Sequence, residues 1–269
     1  MTPRLPFVKM VGTGNDFILL DLRRTRRPGN LTALAKTLCR RARSVGADGL
    51  LTVEPSRRAD VKMRIINPDG SEAAMCGNGA RCVALYAAGG RRHRRLTIET
   101  PAGLIQAETL TPRRVRVTLT TPSSVRTKSL TARMHRLTVY AVNTGVPHAV
   151  LFVPEIRAAD VRTLGPAIRY HRLFRPAGTN VDFVEVLDQH TVRVRTYERG
   201  VEAETLACGT GAVAAALAAA TLGRCTAPVT IYPTSGERLV IRFEPTARGW
   251  KDVSLEGEVR SVFEGVLTS

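Results

Sequence analysis

The sequence predicts an α+β protein of two pseudo-symmetric lobes, each a mixed sheet rolled around a central helix. Short strand-like segments far outnumber helical ones and do not alternate with them, unlike in a doubly wound α/β fold. The chain also repeats itself. TGNDFILL around Thr13 resembles TGVPHAVL around Thr144, and CGNGA at Cys76 resembles CGTGA at Cys208, at offsets of 131 and 132.

A third similarity relates GADGLLTVE around Asp48 to TNVDFVEVL around Asp182, at an offset of 134. Three matches at nearly constant spacing predict an N-terminal lobe over residues 1–124 and a C-terminal lobe over residues 125–269. The last strand is a candidate to pack back on the N-terminal lobe. We expect the active site in the cleft between the lobes.

Each half places a strand, a polar turn and a helix in the same order. Alternating residues predict strands at Val61–Ile66 and Thr191–Thr196, each followed by a turn that contains glycine. The first helix should begin near Gly79 and end at Gly89–Gly90. The second should cover Ala212–Ala220, where the lack of a polar face indicates burial inside a curved sheet. Further strands are predicted at 96–99, 115–119, 137–142, 229–232, 239–243 and 253–255.

The net charge of +17 raises the alternative of a basic nucleic-acid-binding protein. Clusters such as Arg91-Arg92-His93-Arg94-Arg95 lie at predicted turns, without interleaved aromatic residues or a known nucleic-acid-binding motif. We therefore interpret the charge as an arginine bias of the surface and expect no nucleic-acid partner. The longest apolar run is about half the length of a membrane helix, and no apolar run predicts a signal peptide.

The five cysteines form neither an even disulfide framework nor a spacing typical of zinc ligands. We expect free thiols in a reducing cytoplasm and no metal. Cys39, Cys82 and Cys225 lack a glycine context and are interpreted as buried apolar residues. One CGxGA motif is typical of a tight turn before a buried helix, but two copies in equivalent places favour a chemical role.

Glycines after Cys76 and Cys208 predict helix N-termini whose backbone N–H groups can hold a carboxylate. The same helix ends favour thiolate, by up to ~2 kcal/mol against a usual thiol pKa of ~8.5. A thiolate and a thiol on opposite faces of one carbon can remove a proton and return it from the far side, which inverts the centre. This chemistry requires no cofactor.

Six blocks resemble the diaminopimelate epimerase family, in the family's order and over nearly the whole chain. They are GTGNDF at 12–17, GADGL at 46–50, NPDGSEAAMCGNGARC at 67–82, GVPHAV at 145–150, GTNVDFVEV at 178–186 and YERGVEAETLACGTGA at 197–212. The resemblance implies interconversion of LL- and meso-2,6-diaminopimelate without pyridoxal phosphate, in lysine and peptidoglycan synthesis. It also implies a small-molecule substrate and a cytoplasmic homodimer.

Carried over by position, the resemblance makes Cys208 the acceptor of the proton from the LL substrate and Cys76 the donor. It implies that His148 and Glu198 tune the pKa values of the thiols. The substrate-binding positions would be Asn15, Asn67, Gly77, Asn78, Asn180, Glu198, Arg199, Gly209 and Thr210. A buried histidine without a role at 148 and a solvated arginine at 199 are the alternatives.

Two positions depart from the pattern of some family members, because Gly49 and Val146 replace side-chain amides. Side-chain contacts with the substrate are therefore not expected there. A proline or hydroxyproline racemase, which also uses two cysteines, is the alternative enzyme. Members of that group carry a histidine in the first glycine loop, where this chain has Asn78.

Overall fold

A computed structural model describes residues 4–25, 28–247 and 249–267. The chain forms two units, Met1–Val117 with Gly257–Ser269, and Thr118–Glu256. Among the described residues, no helix has both the length and the hydropathy required to span a membrane.

Within its described residues, the first unit contains two helices and a mixed sheet. Its elements in chain order are β1 (Leu5–Gly12), β2 (Asn15–Asp21), α1 (Leu31–Leu38), β3 (Gly49–Glu54), β4 (Val61–Ile66), β5 (Glu72–Ala73), α2 (Gly77–Ala88), β6 (Arg95–Thr100), β7 (Gly103–Thr111) and β8 (Arg114–Thr118). β2 pairs with β3 and β4 with β6 in parallel, while β1–β2, β3–β4, β6–β7 and β7–β8 are antiparallel.

The second unit repeats this order. Its elements are β9 (Arg126–Ala132), β10 (His135–Asn143), β11 (Pro147–Phe152), α3 (Val161–Arg169), a 3-10 helix (Arg172–Phe174), β12 (Asn180–Asp188), β13 (Thr191–Glu198), β14 (Ala203–Thr205), α4 (Gly209–Thr221), β15 (Val229–Tyr232), β16 (Leu239–Thr246) and β17 (Gly249–Leu267). β11 pairs with β12 and β13 with β15 in parallel, as their counterparts do in the first unit.

β17 contributes to both units, because the unit boundary falls between residues 256 and 257. In the first unit, its final part pairs antiparallel with β1, from Gly12 opposite Val259 to Leu5 opposite Leu267. β9 pairs antiparallel with β10 in the second unit, and so occupies the corresponding place.

Strand pairing corrects one of the three sequence repeats. Phe17 lies opposite Gly49 in the first unit and His148 lies opposite Asn180 in the second, so both pairs are related by an offset of 131. The counterpart of Asp182 is therefore Leu51, and the match of Asp182 to Asp48 at an offset of 134 was wrong. The third repeat aligned two short apolar runs without the register that only strand pairing supplies.

The central helices are α2 and α4, and each packs on six strands of its own unit. Nine successive residues of α4, Gly211–Ala219, are buried, which confirms the burial predicted from its lack of a polar face. α2 begins two residues before the predicted start and ends at Gly89, whose φ of 60° is the left-handed conformation that glycine adopts readily. The α+β class predicted from sequence is confirmed.

Two helices, α1 and α3, were not predicted. Each connects a pair of parallel strands, which requires a crossover segment rather than a tight turn. Asn30 caps α1 by accepting from the N–H of Ala33, and Asp160 caps α3 by accepting from Thr163. Each helix contributes buried residues to an apolar cluster of its own unit.

Candidate active site

Cys76 caps the N-terminus of α2. Its backbone is extended, with φ −143° and ψ 117°, and its Sγ accepts from the N–H of Gly79 over 3.4 Å. The N–H groups of the first helical turn, which starts at Gly77 and Asn78, lack partners within the helix. This end of α2 therefore presents donors beside a thiol that is only half-buried.

A chain of side-chain hydrogen bonds runs beside Cys76. Arg81, which is fully buried, donates from Nη2 to Oδ1 of Asn78 and to Oγ1 of Thr13, each over 2.8 Å. Nδ2 of Asn78 donates to Oδ1 of Asn15 over 2.6 Å, and Nδ2 of Asn15 donates to Oδ2 of Asp48 over 3.1 Å. The fold thus joins Asn15 and Asn78, which are 63 positions apart, at the start of α2.

Asn67 occupies a separate place in the same unit. It follows β4, where its N–H donates to the carbonyl of Ser71 and its Nδ2 to the hydroxyl of Ser71. Among the hydrogen bonds of the described residues, none joins Asn67 to Asn15 or Asn78. Asn67 belongs to the turn that leads into β5 and then to Cys76.

Cys208 occupies the N-cap position of α4 in the second unit. Its backbone is also extended, with φ −120° and ψ 111°, and its Sγ lies 3.4 Å from Oγ1 of Thr210. Thr144 holds the same turn from the other side, because its hydroxyl donates to the carbonyl of Thr210 over 3.2 Å. Gly209 and Thr210 thus form the first turn of α4, as Gly77 and Asn78 form that of α2.

A histidine and a carboxylate lie behind Thr210. Nε2 of His148 is 3.0 Å from Oγ1 of Thr210, and Nδ1 of His148 is 2.7 Å from Oδ2 of Asp182. Both side chains are completely buried, and the hydroxyl of Thr196 donates to the other oxygen of Asp182 over 2.8 Å. A carboxylate can only accept, so Nδ1 carries a hydrogen, and in the uncharged imidazole with this tautomer Nε2 accepts from Thr210.

Asn180, Arg199 and Glu198 lie at the ends of two neighbouring strands. Nδ2 of Asn180 donates to the carbonyl of Pro147, and its Oδ1 accepts from the backbone N–H of Arg199 over 2.8 Å. Glu198 accepts from the hydroxyl of Thr205 over 3.0 Å. Asn180 therefore links the end of β13 to the start of β11, and its Nδ2 also lies 3.5 Å from Nε2 of His148.

The electrostatic surroundings of Cys208 differ from the prediction. Burial raises the pKa of its thiol well above the usual range, and the carboxylates of Glu198 and Asp182 raise it further. The hydrogen bond with Thr210 acts in the opposite direction and is outweighed. The backbone N–H of Gly211 at the start of the helix does act to lower the pKa, as expected of a helix N-terminus, but burial, followed by the two carboxylates, outweighs it.

Sequence reasoning did not assign Arg81, Thr13, Asp48, Asp182 or Thr196 to the site. Two of these carried a usable signal. Asp182 interrupts an apolar strand, and Arg81 interrupts an apolar helix, so each predicts a buried polar partner. The other three are ordinary loop or strand residues whose contacts depend on the fold.

Comparison with known proteins gives the family. A model of the family described as diaminopimelate epimerase matches residues 7–125 and 140–260. Curated proteins named diaminopimelate epimerase include one from Aquifex aeolicus, 41% identical over 98% of both chains. Another, from Methanothrix thermoacetophila, is 43% identical over 98% of this chain and 96% of the relative.

Solved structures with similar folds are much more distant in sequence. A probable proline racemase from Agrobacterium radiobacter aligns with a TM-score of 0.75 at 17% identity, over 98% of this chain and 93% of that one. A hydroxyproline epimerase from Agrobacterium vitis aligns with a TM-score of 0.68 at 18% identity, over 99% and 94%. These likenesses show the fold alone. The matches at about 40% identity over nearly the whole chain, together with the two cysteine-capped helices, show that the chain belongs to the diaminopimelate epimerase family, which is a family of isomerases.

Proposed function

We propose that this chain interconverts LL- and meso-2,6-diaminopimelate by a two-base transfer at one α-carbon. Cys208 as thiolate would take the α-proton of the LL substrate, and Cys76 as thiol would deliver a proton to the opposite face. After the transfer, Cys208 is a thiol and Cys76 a thiolate, so the reverse reaction starts from the complementary protonation state. The observation that carries the proposal is that each unit presents one cysteine as the cap of its central helix.

The helix ends would supply most of the stabilisation. As the α-proton leaves, negative charge builds on the substrate carboxylate. The N–H groups that follow the two cysteines, at Gly77 and Asn78 and at Gly209 and Thr210, are placed at helix N-termini that favour such charge. These groups need not reorganise during the reaction, which is the property that makes preorganised donors effective.

Thr210 and His148 would carry the proton of Cys208. Because Nε2 of His148 accepts from Thr210, the hydroxyl oxygen of Thr210 can in turn accept from the thiol of Cys208. Movement of one proton along this path leaves a thiolate at Cys208 and an imidazolium at His148, with Asp182 as its counter-ion at 2.7 Å. A thiol whose pKa is raised then yields a strongly basic thiolate for the α-proton.

The remaining site residues would bind the distal, non-reacting amino acid of the substrate. The guanidinium of Arg199 can pair with its carboxylate, Glu198 can accept from its ammonium, and the amides of Asn15, Asn67 and Asn180 can fix its handedness. We further propose that the enzyme works without pyridoxal phosphate or metal, as a cytoplasmic homodimer, in lysine and peptidoglycan synthesis.

Solvent-deuterium exchange tests this function. We expect deuterium to enter the α-position of diaminopimelate, but not of proline, when each is incubated with the protein in D₂O. Cys76→Ala and Cys208→Ala should each abolish epimerisation. Cys39→Ala and Cys225→Ala provide matched controls, one in each unit, because both thiols are buried and neither lies at the start of α2 or α4.

Labelling of proline alone would replace the proposed reaction with proline racemisation. Full epimerase turnover in either Cys76→Ala or Cys208→Ala would exclude the paired-thiol mechanism. A salt titration of DNA binding covers the remaining alternative. Tight, steeply salt-dependent binding without exchange activity would instead support a basic nucleic-acid-binding protein.

A further inference from the structure

We propose that Arg81 is a positioning residue that holds the amides of Asn78 and Asn15 in one orientation for the substrate. This inference rests on the proposed function, which places both asparagines in the substrate site. Arg81 itself touches no substrate in this proposal, because its side chain is fully buried beneath the first turn of α2.

The direction of the hydrogen-bond chain is set at its two ends. Arg81 can only donate, and Asp48, which forms an ion pair with Arg41 at 2.7 Å, can only accept. Asn78 must therefore turn its oxygen towards Arg81 and its nitrogen towards Asn15. Asn15 must likewise turn its oxygen towards Asn78 and its nitrogen towards Asp48. Reversing either amide would oppose two donors or two acceptors.

The fixed direction decides what the amides can recognise. A side-chain amide has two hydrogens on nitrogen and two lone pairs on oxygen. The bonds of the chain use one hydrogen and one lone pair of Asn15, which leaves one of each for a ligand. An amino-acid head group has a carboxylate that accepts and an ammonium that donates. An amide held in a known orientation can therefore distinguish the two ends of that group.

The second unit holds its equivalent turn by different chemistry. At an offset of 132, Thr210 corresponds to Asn78 and Val213 to Arg81, as Cys208 corresponds to Cys76. Thr210 is bonded by His148, whereas Asn78 is bonded by Arg81. In both units, a buried side chain therefore makes a hydrogen bond with the residue that lies two positions after the cysteine. Only in the first unit is the anchor a cation that no proton transfer can neutralise.

The bonds of Arg81 also tie this anchor to the protein frame. Nη2 donates to the hydroxyl of Thr13, in the turn between β1 and β2, and Nη1 lies 3.5 Å from the carbonyl of Gly77. Arg81 therefore joins the start of α2 to the turn that precedes Asn15, the first residue of β2. The planar guanidinium makes these bonds in a fixed geometry.

The test compares Arg81→Met with Arg81→Lys. Methionine fills much of the same space but donates nothing, whereas lysine keeps a cationic donor that can bond Asn78. A packing role would favour methionine over a buried lysine. If Arg81 positions the amides, Arg81→Lys should instead retain more substrate binding and slower amide exchange than Arg81→Met. Arg23→Met is the matched control, since Arg23 lies in the same unit and pairs with Asp21, outside the site.

A direct measurement does not depend on catalysis. The chain has only six asparagines, so the side-chain NH₂ signals of ¹⁵N-asparagine-labelled protein can be assigned by single Asn→Ala variants. We expect the signals of Asn78 and Asn15 to exchange slowly with D₂O in the wild type. Exchange should become at least about tenfold faster in Arg81→Met, remain intermediate in Arg81→Lys and be unchanged in Arg23→Met. Asp48→Ala, at the half-exposed end of the chain, removes the acceptor for Nδ2 of Asn15 and should speed the exchange of Asn15.

Steady-state kinetics then link the orientation to the substrate. KM for diaminopimelate should rise about tenfold in Arg81→Met with a much smaller change in kcat, since uniform binding is lost. In an Asn78→Ala background, Arg81→Met should add no further increase, because the two residues act as one unit.

Unchanged exchange of both amides in Arg81→Met, or additive effects of the two substitutions on KM, would overturn the proposal. If Arg81→Met does not fold, unchanged exchange of Asn15 in Asp48→Ala, which lacks the acceptor, has the same consequence. A wild-type protein that shows slow amide exchange but no epimerisation would refute the proposed function and leave the positioning role intact.

Discussion

Substitution of Gly211 by alanine tests how closely α4 packs against the buried carboxylate of Asp182. A methyl group built at Gly211 overlaps Oδ1 of Asp182 and lies 3.1 Å from Oγ1 of Thr196. The carboxylate must move by about 1 Å to restore ordinary van der Waals contact. That movement weakens the bonds that Asp182 makes with Thr196 at 2.8 Å and with His148 at 2.7 Å.

The expected cost follows from these two bonds. Leaving a buried polar group unsatisfied costs about 1–3 kcal/mol, while replacing a helical glycine with alanine returns up to about 1 kcal/mol. We expect a net loss of about 1–3 kcal/mol in the free energy of unfolding. The melting temperature should fall by about 2–4 °C for each kcal/mol. Epimerase activity should also fall, because His148 loses the carboxylate that fixes its tautomer.

Gly79→Ala is the matched control at the equivalent helix position. There the added methyl group meets Cδ2 of Leu51 at 3.0 Å, which is the flexible end of an apolar side chain. Thermal unfolding followed by circular dichroism, with initial rates on LL-diaminopimelate, measures both variants. The reasoning is refuted if Gly211→Ala is as stable and active as the wild type, or if Gly79→Ala is equally damaging.

Three further results are expected. The rate at which iodoacetamide alkylates Cys208 in the ligand-free protein, measured by mass spectrometry, should increase only at pH values well above ~8.5. Glu198→Gln should move this increase to lower pH, because a carboxylate that raises the pKa of the thiol is lost. An alkylation profile typical of an ordinary thiol in the wild type would contradict the role of burial. Leu217→Ala, at a fully buried position of α4, should lower the free energy of unfolding by about 2–5 kcal/mol in urea titrations. A loss below about 1 kcal/mol would show that the helix is not tightly enclosed. Burial acts to raise the pKa of Asp21, but the bonds from Arg23 outweigh it and hold the pKa low. The ion pair therefore stabilises the fold at pH values above the unfolded-state pKa of about 3.9. This contribution is lost as the pH falls towards the pKa of Asp21 in the folded state. The difference in urea stability between wild type and Arg23→Met should therefore be constant above about pH 5 and shrink below pH 4, whereas a difference that grows in acid would reverse the sign of this linkage.

Much of the fold could be predicted because local patterns report it directly. Alternation at Val61–Ile66 and Thr191–Thr196 marked β4 and β13, and Gly89 marked the end of α2. α1 and α3 escaped prediction because they are only eight and nine residues long, and α3 contains Pro166. Such short helices depend on packing rather than on intrinsic propensity.

The candidate site was predictable only in part, for a physical reason that Asp182 and Arg81 illustrate. Motifs identify residues that share a short segment, such as Cys208 with Thr210. Hydrogen-bond partners are decided by register, which brings His148 to within 2.7 Å of Asp182 across 34 positions. The match of Asp48 to Asp182, at an offset of 134, shows how a plausible alignment fails without that register.

The sequence by itself determined the duplication, the α+β class, the family and the two cysteines at glycine-rich helix starts. These features depend on short stretches of chain, in which the residue types and their spacing favour a particular local structure. The tertiary structure alone decided the surroundings of the two helix caps: Arg81 beneath Asn78 in one unit, and His148 with Asp182 beneath Thr210 in the other. Burial and neighbouring charge set the pKa of a thiol and the direction of an amide, and both arise only when distant segments pack together.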